Sequence, residues 1–235
     1  MNLIKEYDFL KFIYYNIISF GIITICDYSI IYYNETKLNK KDKYGRWFML
    51  HFIINTFITL LTFEDVVACL FDPNKSNEPF DYYIAGSFAV SLHLYHTLNF
   101  TLTQLDIYHH FISCFLCTPL CYLYQNKGLS CYLFFCTGLP GGIDYLLLYM
   151  VKNNYIQTIT EKKLNSYLNT YLRIPGGAIT SYLVFKDARI LYENTYLSIF
   201  IYVFAYLIFL NATFFGNMAI ANYTENKTRL HLKRQ

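Results

Sequence analysis

The sequence predicts an all-α polytopic membrane protein, a bundle of about seven transmembrane helices. Hydrophobic residues make up 55% of the 235 positions and charged residues only 15%, whereas about a quarter of a typical soluble domain is charged. The hydrophobic residues occur in blocks of about 20, long enough for a helix to cross a hydrocarbon core of roughly 30 Å. None of the blocks alternates as a membrane-spanning strand does. Helices are therefore the predicted elements.

Seven spans are predicted, with polar connections between them. They lie at 9–33, 47–71, 82–102, 107–125, 129–150, 164–185 and 195–222. The first block has no basic leader and no small-residue cleavage site, so it is predicted to be a true span. The connections are short, so consecutive helices are expected to be antiparallel neighbours. The predicted units are an N-terminal helix with a basic loop, a six-helix membrane domain and a basic cytosolic tail: 1–44, 45–222 and 223–235.

The distribution of basic residues predicts the orientation of the chain. Seven spans place the termini on opposite sides, so Lys and Arg can be counted by side. The side that includes the C-terminus has 12: Lys37, Lys40, Lys41, Lys43, Arg46, Lys152, Lys162, Lys163, Lys227, Arg229, Lys233 and Arg234. The other side has six: Lys5, Lys11, Lys75, Lys127, Lys186 and Arg189. Because cytosolic loops are enriched in Lys and Arg, the C-terminus is predicted to be cytosolic.

Charge and cysteine usage argue against three other classes of site. The net charge is only +3, and the basic residues form no stripe of the kind that binds nucleic acid. The seven cysteines are odd in number and lie in apolar segments, which favours reduced packing residues over disulfides. His110, Cys114, Cys117 and Cys121 share a helical stripe, but no H-E-x-x-H pair or similar arrangement occurs, so no metal site is predicted.

A short motif occurs twice, as Leu139-Pro-Gly-Gly-Ile143 and Ile174-Pro-Gly-Gly-Ala178. Proline removes a helix hydrogen bond and glycine relaxes the backbone, so each copy can kink or unwind its helix near the middle of the membrane. Irregular backbone at that depth occurs where protein or a water-filled cavity surrounds it. Two interpretations remain open: a pair of packing kinks, or two breaks that line a cavity.

Histidines cluster on the third and fourth predicted spans. His93 and His96 lie one turn apart on one face of span three, and His109 and His110 follow just beyond a tight turn. Asp106 precedes this pair by three and four residues, close enough to hydrogen-bond an imidazole and fix its tautomer. Adjacent histidines point about 100° apart on a helix, so the two cannot face one point equally.

Further polar residues lie at similar depths in other spans: His51 in span two, Asp144 in span five, and Asn169 and Arg173 in span six. All fall in the half of the membrane that holds the four clustered histidines. Because ionisable groups inside a bilayer are costly and usually functional, the sequence predicts one polar cavity that opens toward the cytosol.

Simpler interpretations also remain open for several of these residues. His51 can be a helix–helix hydrogen-bond donor, and Asp106 can be only a turn or cap residue. Asp144 and Arg173 can neutralise each other as a structural ion pair.

The ordered set of motifs resembles the TLC domain family, which includes translocation-associated membrane proteins, ceramide synthases and a neuronal lipofuscinosis protein. The matching stretches are Arg46-Trp47 through His51, Ser91-Leu-His-Leu-Tyr-His96 and Asp106-Ile-Tyr-His-His110. Gly138-Leu-Pro-Gly-Gly-Ile-Asp144 and Asn169-Thr-Tyr-Leu-Arg-Ile-Pro175 are similar to uncharacterised TLC proteins, which the chain resembles more than it does true ceramide synthases. The resemblance covers roughly residues 45 to 222.

This resemblance implies an endoplasmic-reticulum-type membrane and a role in lipid metabolism. In ceramide synthases the paired histidines are needed to acylate a sphingoid base from acyl-CoA. Carried over, His109 and His110 are catalytic candidates, one of them as a general base. The synthases continue into a motif that ends in His-Asp and a further Asp. This chain has no histidine between His110 and His231, and Asp144 is a candidate for part of the missing role.

Two hypotheses follow. The first is an acyl-CoA-dependent acyltransferase that acts on a lipid amine or hydroxyl, with acyl-CoA as co-substrate and no bound cofactor or metal. Its catalytic candidates are His109, His110 and Asp144, and its supporting candidates are His51, His93, His96, Asp106, Asn169 and Arg173. The second is a non-enzymatic protein that binds lipid, adjusts membrane composition or escorts membrane proteins. Membrane lipids are the expected partners of either, and a homo-oligomer is compatible with both.

Overall fold

The computed structural model describes residues 9–37, 43–191 and 196–232, and these form seven helical segments. The elements are α1 (Phe9–Lys37), α2 (Lys43–Phe71), α3 (Tyr82–Asn99), α4 (Gln104–His110), α5 (Thr118–Tyr124), α6 (Gly128–Tyr132), α7 (Leu139–Lys152), α8 (Thr158–Leu168), α9 (Ile174–Leu191) and α10 (Tyr196–Leu232). A 3-10 turn, Pro73–Asn77, follows α2. No strand forms within these ranges, which confirms the all-α class.

Four helices are long and apolar enough to cross a membrane: Phe9–Thr36, Gly45–Phe71, Gly128–Lys152 and Tyr196–Leu232. They are compatible with an integral membrane protein. The other three described segments coincide with the remaining predicted spans but are shorter or more polar. Of these, α3 has 18 residues, 11 of them buried. It therefore lies largely inside the bundle.

Helix ends lie within four residues of the predicted spans in the first five segments and differ more in the last two. The sixth segment begins at Thr158 and not near residue 164, because the polar helix α8 precedes its apolar part. The last helix continues to Leu232, ten residues beyond the predicted end of span seven. Asn226 donates to the backbone oxygen of Asn222 at 2.8 Å in this extension. Hydropathy marks where a segment can contact lipid, whereas this helix continues beyond its apolar part.

Each of three prolines follows a π-helical turn: Phe111–Cys117 before Pro119, Leu133–Gly138 before Pro140, and Asn169–Arg173 before Pro175. In each case the residue before the proline donates its backbone N–H to the carbonyl five residues earlier. A proline ring clashes with the carbonyl four residues back and donates no hydrogen bond. A wider turn with i→i+5 bonds relieves that clash while the helix continues.

Hydroxyl contacts and small residues bring neighbouring helices close together. Ser19 of α1 and Ser87 of α3 share a hydrogen bond of 2.6 Å, and Ser181 of α9 donates to the Ala205 carbonyl of α10 at 2.8 Å. A Cβ atom on Gly177 would lie 2.3 Å from Cβ of Ala212. Such close approach through small residues is typical of helix packing in membranes.

The two ends of the bundle differ. One end, here called the histidine end, contains the α3–α4 connection and the clustered histidines. At the opposite end, Lys127 joins Asp65 at 3.2 Å and Glu78 at 2.9 Å. Hydrogen bonds from Lys75 and Lys127 lower the pKa of Glu78, so this exposed network persists at neutral pH. The connections at this end are thereby tied to one another.

A buried carboxylate, Asp187, ties the opposite end to α9. It accepts hydrogen bonds from the hydroxyls of Ser76, at 2.8 Å, and Tyr124, and it is fully buried. Lys186 lies 3.3 Å from the same carboxylate. Polar groups buried at this depth are stabilised by such contacts, so Asp187 fixes the 3-10 turn against the bundle.

Candidate functional site

Two histidine pairs meet across the connection between α3 and α4. His93 and His96 lie one turn apart on α3, and the short connection brings α4 back alongside. Nε2 of His93 lies 3.1 Å from Nε2 of His109, and Nδ1 of His96 lies 3.2 Å from Nε2 of His110. The four predicted histidines therefore form two hydrogen-bonded pairs.

The hydrogen bonds determine which nitrogen of each neutral ring in the first pair has the proton. Nδ1 of His93 lies 2.6 Å from the Ala89 carbonyl. A carbonyl oxygen only accepts, so this nitrogen is the donor and Nε2 of the neutral ring is an acceptor. Nε2 of His109 must then donate to it, which leaves a lone pair on Nδ1 of His109. That nitrogen has no hydrogen-bond partner among the described residues.

The second pair is arranged differently. The Thr97 hydroxyl donates to the His93 carbonyl at 2.9 Å, so it accepts from Nδ1 of His110, which is 3.0 Å away. Nε2 of the neutral His110 ring then accepts from Nδ1 of His96. Both nitrogens of His110 are occupied, whereas His109 keeps one basic nitrogen unpaired.

Asp106 caps α4 and does not contact a histidine by hydrogen bond. Its carboxylate accepts from the backbone N–H of Thr103 at 2.8 Å and from the Thr103 hydroxyl at 2.7 Å. The Thr103 hydroxyl accepts from the Asp106 backbone in return, at 3.2 Å, which completes a capping box. The cap interpretation is therefore correct, and the expected hydrogen bond to an imidazole is not formed.

Aromatic contacts hold His51 and His96 in place. Trp47 stacks on His96 with ring centroids 3.7 Å apart and meets His51 edge-on at 3.8 Å. Tyr145 of α7 stacks on the other side of His51 at 3.9 Å. His51 therefore packs between helices, yet its Nδ1 is buried without a hydrogen-bond partner.

A cavity of about 250 Å³ lies among α2, α3, α4, α7 and α10. Six of the nine predicted site residues line it: His51, His93, Asp106, His109, Asp144 and Arg173. His96 and His110 are absent from the lining, although each bonds to the other. Asn169 is buried, and its amide donates to the Asn165 carbonyl at 2.9 Å. Within the adjacent pair, His109 is thus the member that lines the cavity.

Asp144 and Arg173 do not form the structural ion pair that was one interpretation of the sequence. The ion pairs between described residues include neither of them. Oδ1 of Asp144 and Nε of Arg173 are buried without hydrogen-bond partners. Two further cavity residues, Asn55 and Asn211, each have an unpartnered Oδ1. The cavity wall therefore has unsatisfied polar groups on several helices.

The paired Pro-Gly-Gly motifs serve mainly packing. A Cβ on Gly141 would lie 2.9 Å from Nδ2 of Asn55, and one on Gly176 would lie 2.2 Å from the Phe135 ring. Gly141 also lines the cavity. The first copy therefore combines both interpretations, whereas the second is explained by close packing.

Sequence reasoning missed Asp27, Asn55, Tyr145 and Asn211. Asp27 lies inside predicted span one, so the rule that marks ionisable residues in a span applies to it as well. Tyr145 directly follows Asp144. Asn55 and Asn211 lie in predicted spans as Asn169 does, but no quoted motif includes either of them.

No family model matches this chain, and neither a curated protein nor a solved structure matches it. The TLC resemblance therefore depends on the motifs quoted above. Cys114, Cys117 and Cys121 line the cavity, and all seven cysteines are free. In the described ranges, no group of three or more His, Cys, Asp and Glu side chains is placed to hold a metal ion.

The arrangement provides three chemical functions in one place. Nδ1 of His109 is a base, Arg173 is a hydrogen-bond donor with positive charge, and Asp144 is an acceptor with negative charge. Because these groups line a single cavity, the cavity is suited to proton transfer on a polar group that enters it.

Proposed function

We propose that this protein acts in lipid metabolism, by acyl transfer from acyl-CoA to a lipid amine or hydroxyl in the histidine-lined cavity. One observation supports this most directly: the hydrogen bonds of His93 leave a basic nitrogen of His109 unpaired inside a polar cavity. A neutral imidazole in that state is suited to general-base catalysis near pH 7.

The proposed step needs no bound cofactor. The amine or hydroxyl of the acceptor attacks the thioester carbonyl, and Nδ1 of His109 takes its proton. The carbon–sulfur bond then breaks, and the protonated His109 returns the proton to the departing CoA thiolate. His93 acts as a positioning residue because its bond to Ala89 fixes the ring that holds His109. His96 and His110 support α3 against α4.

The proposed location is an endoplasmic-reticulum-type membrane with the C-terminus in the cytosol. The excess of Lys and Arg in the connections and tail of that side supports this orientation. The cavity would then be reached from the compartment that contains acyl-CoA.

The first test measures turnover in membranes that contain the protein and a labelled acyl-CoA, with lipid mass spectrometry of the products. We expect His109→Ala to lower turnover by roughly 100-fold or more, since a general base contributes about 10²–10⁴. His110→Ala should lower it less, because both nitrogens of His110 are occupied. His231→Ala, at the end of α10, is the matched control. Turnover by His109→Ala at the wild-type rate would overturn the proposal.

A non-enzymatic lipid-binding role is the second candidate. It is favoured by the absence of any histidine between His110 and His231, where ceramide synthases continue their motif. In that role the protein would co-purify with a lipid, and folded wild-type protein would form no labelled product. The same experiment therefore separates the two functions.

A further inference from the structure

Two oppositely charged side chains line one cavity without forming an ion pair with each other. Asp144 comes from α7, and Arg173 comes from the π-helical turn before α9. The ion pairs between described residues include neither side chain. Neither Asp144 nor Arg173 therefore has an ionic partner among the described residues.

An unpaired charge inside a membrane protein is costly and marks sites of substrate or ion recognition. In this cavity both a negative side chain, Asp144, and a positive side chain, Arg173, bear that cost. Direct pairing of the two groups would be the simplest way to lower it. The two helices instead hold Asp144 and Arg173 apart, so a ligand that lies between them can satisfy both.

Unpartnered hydrogen-bonding groups in the cavity wall indicate which groups a ligand would need. Asn55 and Asn211 each present an unpartnered oxygen, and Asp144 presents another, whereas Nε of Arg173 is an unpartnered donor with positive charge. Together with Nδ1 of His109, the described wall therefore offers several acceptors and a cationic donor. A ligand that matches it has several N–H or O–H groups and one anionic group.

The cavity volume limits how much of a ligand can enter. At about 250 Å³ it is smaller than the roughly 300–1,000 Å³ of sites that enclose a drug-sized molecule. A polar headgroup fits, whereas acyl chains must lie outside it. Phe111 and Phe115 of the fourth segment are 62% and 74% exposed, so they offer an apolar surface outside the cavity for the acyl chains.

We propose that the cavity binds a zwitterionic headgroup, with its ammonium at Asp144 and its phosphate or carboxylate at Arg173. This inference rests on the proposed lipid-binding cavity and names its ligand class, but it does not require acyl transfer. An anionic headgroup would leave Asp144 without a partner, and the two negative charges would repel each other. A cationic headgroup would leave Arg173 without a partner, and the two positive charges would repel each other.

The test compares the Kd values of four lipids with identical dioleoyl chains for the purified, full-length protein in detergent, without acyl-CoA. The probes are phosphatidylethanolamine, phosphatidic acid, the cationic trimethylammonium-propane lipid and diacylglycerol. We expect the zwitterion to bind the wild type at least tenfold more tightly than the others. Competition by free phosphoethanolamine, which has no chains, distinguishes a soluble ligand from a lipid headgroup.

Two variants test the assignment of each charge. Asp144→Asn should remove the preference for the zwitterion over phosphatidic acid, and Arg173→Gln should remove its preference over the cationic lipid. Glu225→Gln and Arg229→Gln, at an exposed ion pair on α10, are the matched controls. Equal Kd values for zwitterion and phosphatidic acid in the wild type, or an unchanged preference in Asp144→Asn, would overturn the inference.

The outcomes also separate this inference from acyl transfer. Zwitterion binding without a labelled acyl product would leave the inference standing and sink the acyltransferase. Acyl transfer to a lipid that the wild type does not prefer over diacylglycerol would support the acyltransferase and overturn the inference about the zwitterionic headgroup.

Discussion

Asp27 is a charged residue in the middle of an apolar helix, and its two partners explain how it is accommodated. The Tyr95 hydroxyl donates to its carboxylate at 2.6 Å, and Nε of Arg46 lies 3.1 Å from the other oxygen. The Arg46 contact lies off the N–H direction, so it is an ion pair and not a hydrogen bond. Asp27 thereby joins α1, α2 and α3 at the histidine end.

We expect Asp27→Asn to destabilise the fold, because it leaves Arg46 as a largely buried charge without its partner. Removal of one member of a buried ion pair costs about 3–5 kcal/mol. The free energy of unfolding can be measured in detergent micelles from the fluorescence of Trp47, the only tryptophan. This ring packs beside the site, so its signal reports on the same end of the bundle.

Asp81→Asn is the matched control for that substitution. Asp81 forms a more exposed ion pair with Lys11 at 2.8 Å and caps α3. Asparagine caps a helix as well as aspartate does, so only the ion pair is lost, at a cost of about 1 kcal/mol or less. Equal losses in the two variants would contradict a special role for Asp27.

At this scale the sequence predicts which side chains meet, but not how they bond. His93 and His96 face α4 because they lie one turn apart beside a short connection. Which nitrogen of His109 stays unpaired depends on the ring orientation of His93 and on its hydrogen bond to the Ala89 carbonyl. No spacing rule contains that information.

The three π-helical turns show how an element can contain a proline without ending. All three occur in segments that border the cavity, and Arg173 belongs to one of them. A π turn changes the direction in which following side chains point. Irregular backbone is predicted by the positions of the three prolines, Pro119, Pro140 and Pro175. The sequence does not predict the i→i+5 hydrogen bonds that relieve the clash, and the structure shows them.

Close approach of α9 and α10 leads to a prediction at Gly177. Alanine there would place its Cβ 2.3 Å from Cβ of Ala212, and neither atom belongs to a flexible side chain. The helices must separate, and overpacking of this kind costs about 1–3 kcal/mol. We expect Gly177→Ala to lower the free energy of unfolding in detergent by that amount.

Gly21→Ala on α1 supplies the comparison, because nothing lies within 4 Å of its added Cβ. Alanine favours a helix over glycine by roughly 0.5–1 kcal/mol, so this variant should be as stable as the wild type or more stable. The same substitution thus has opposite signs at two positions. A Gly177→Ala protein that unfolds like Gly21→Ala would show that α9 and α10 do not pack as described.

For the whole molecule, the predicted orientation can be tested by glycosylation. Asn74-Lys-Ser76 lies at the opposite end, proposed to be luminal, whereas Asn34, Asn99, Asn222 and Asn226 begin acceptor sequences on the other side. We expect a glycan at Asn74 only, detected as a mobility shift that Asn74→Gln removes. A glycan at any of the other four would reverse the orientation.

The structure adds a condition to that test. Asn74 is exposed, but the Ser76 hydroxyl is buried and donates to Asp187. Transfer must therefore precede the folding of this turn. Asp187→Asn provides a variant in which the turn is less firmly held, and it should raise occupancy at Asn74.

The hydrogen bond from Nδ1 of His93 to the Ala89 carbonyl limits how many protons the pair of His93 and His109 can take up. The Nδ1 proton of His93 is held by the carbonyl, and the proton of the neutral His109 ring already lies between the two facing Nε2 atoms, so the pair can take up an additional proton only at Nδ1 of His109. Once that proton is bound, its positive charge opposes a second. The pair of His93 and His109 therefore takes up one proton at a time and must release it before it can take up another.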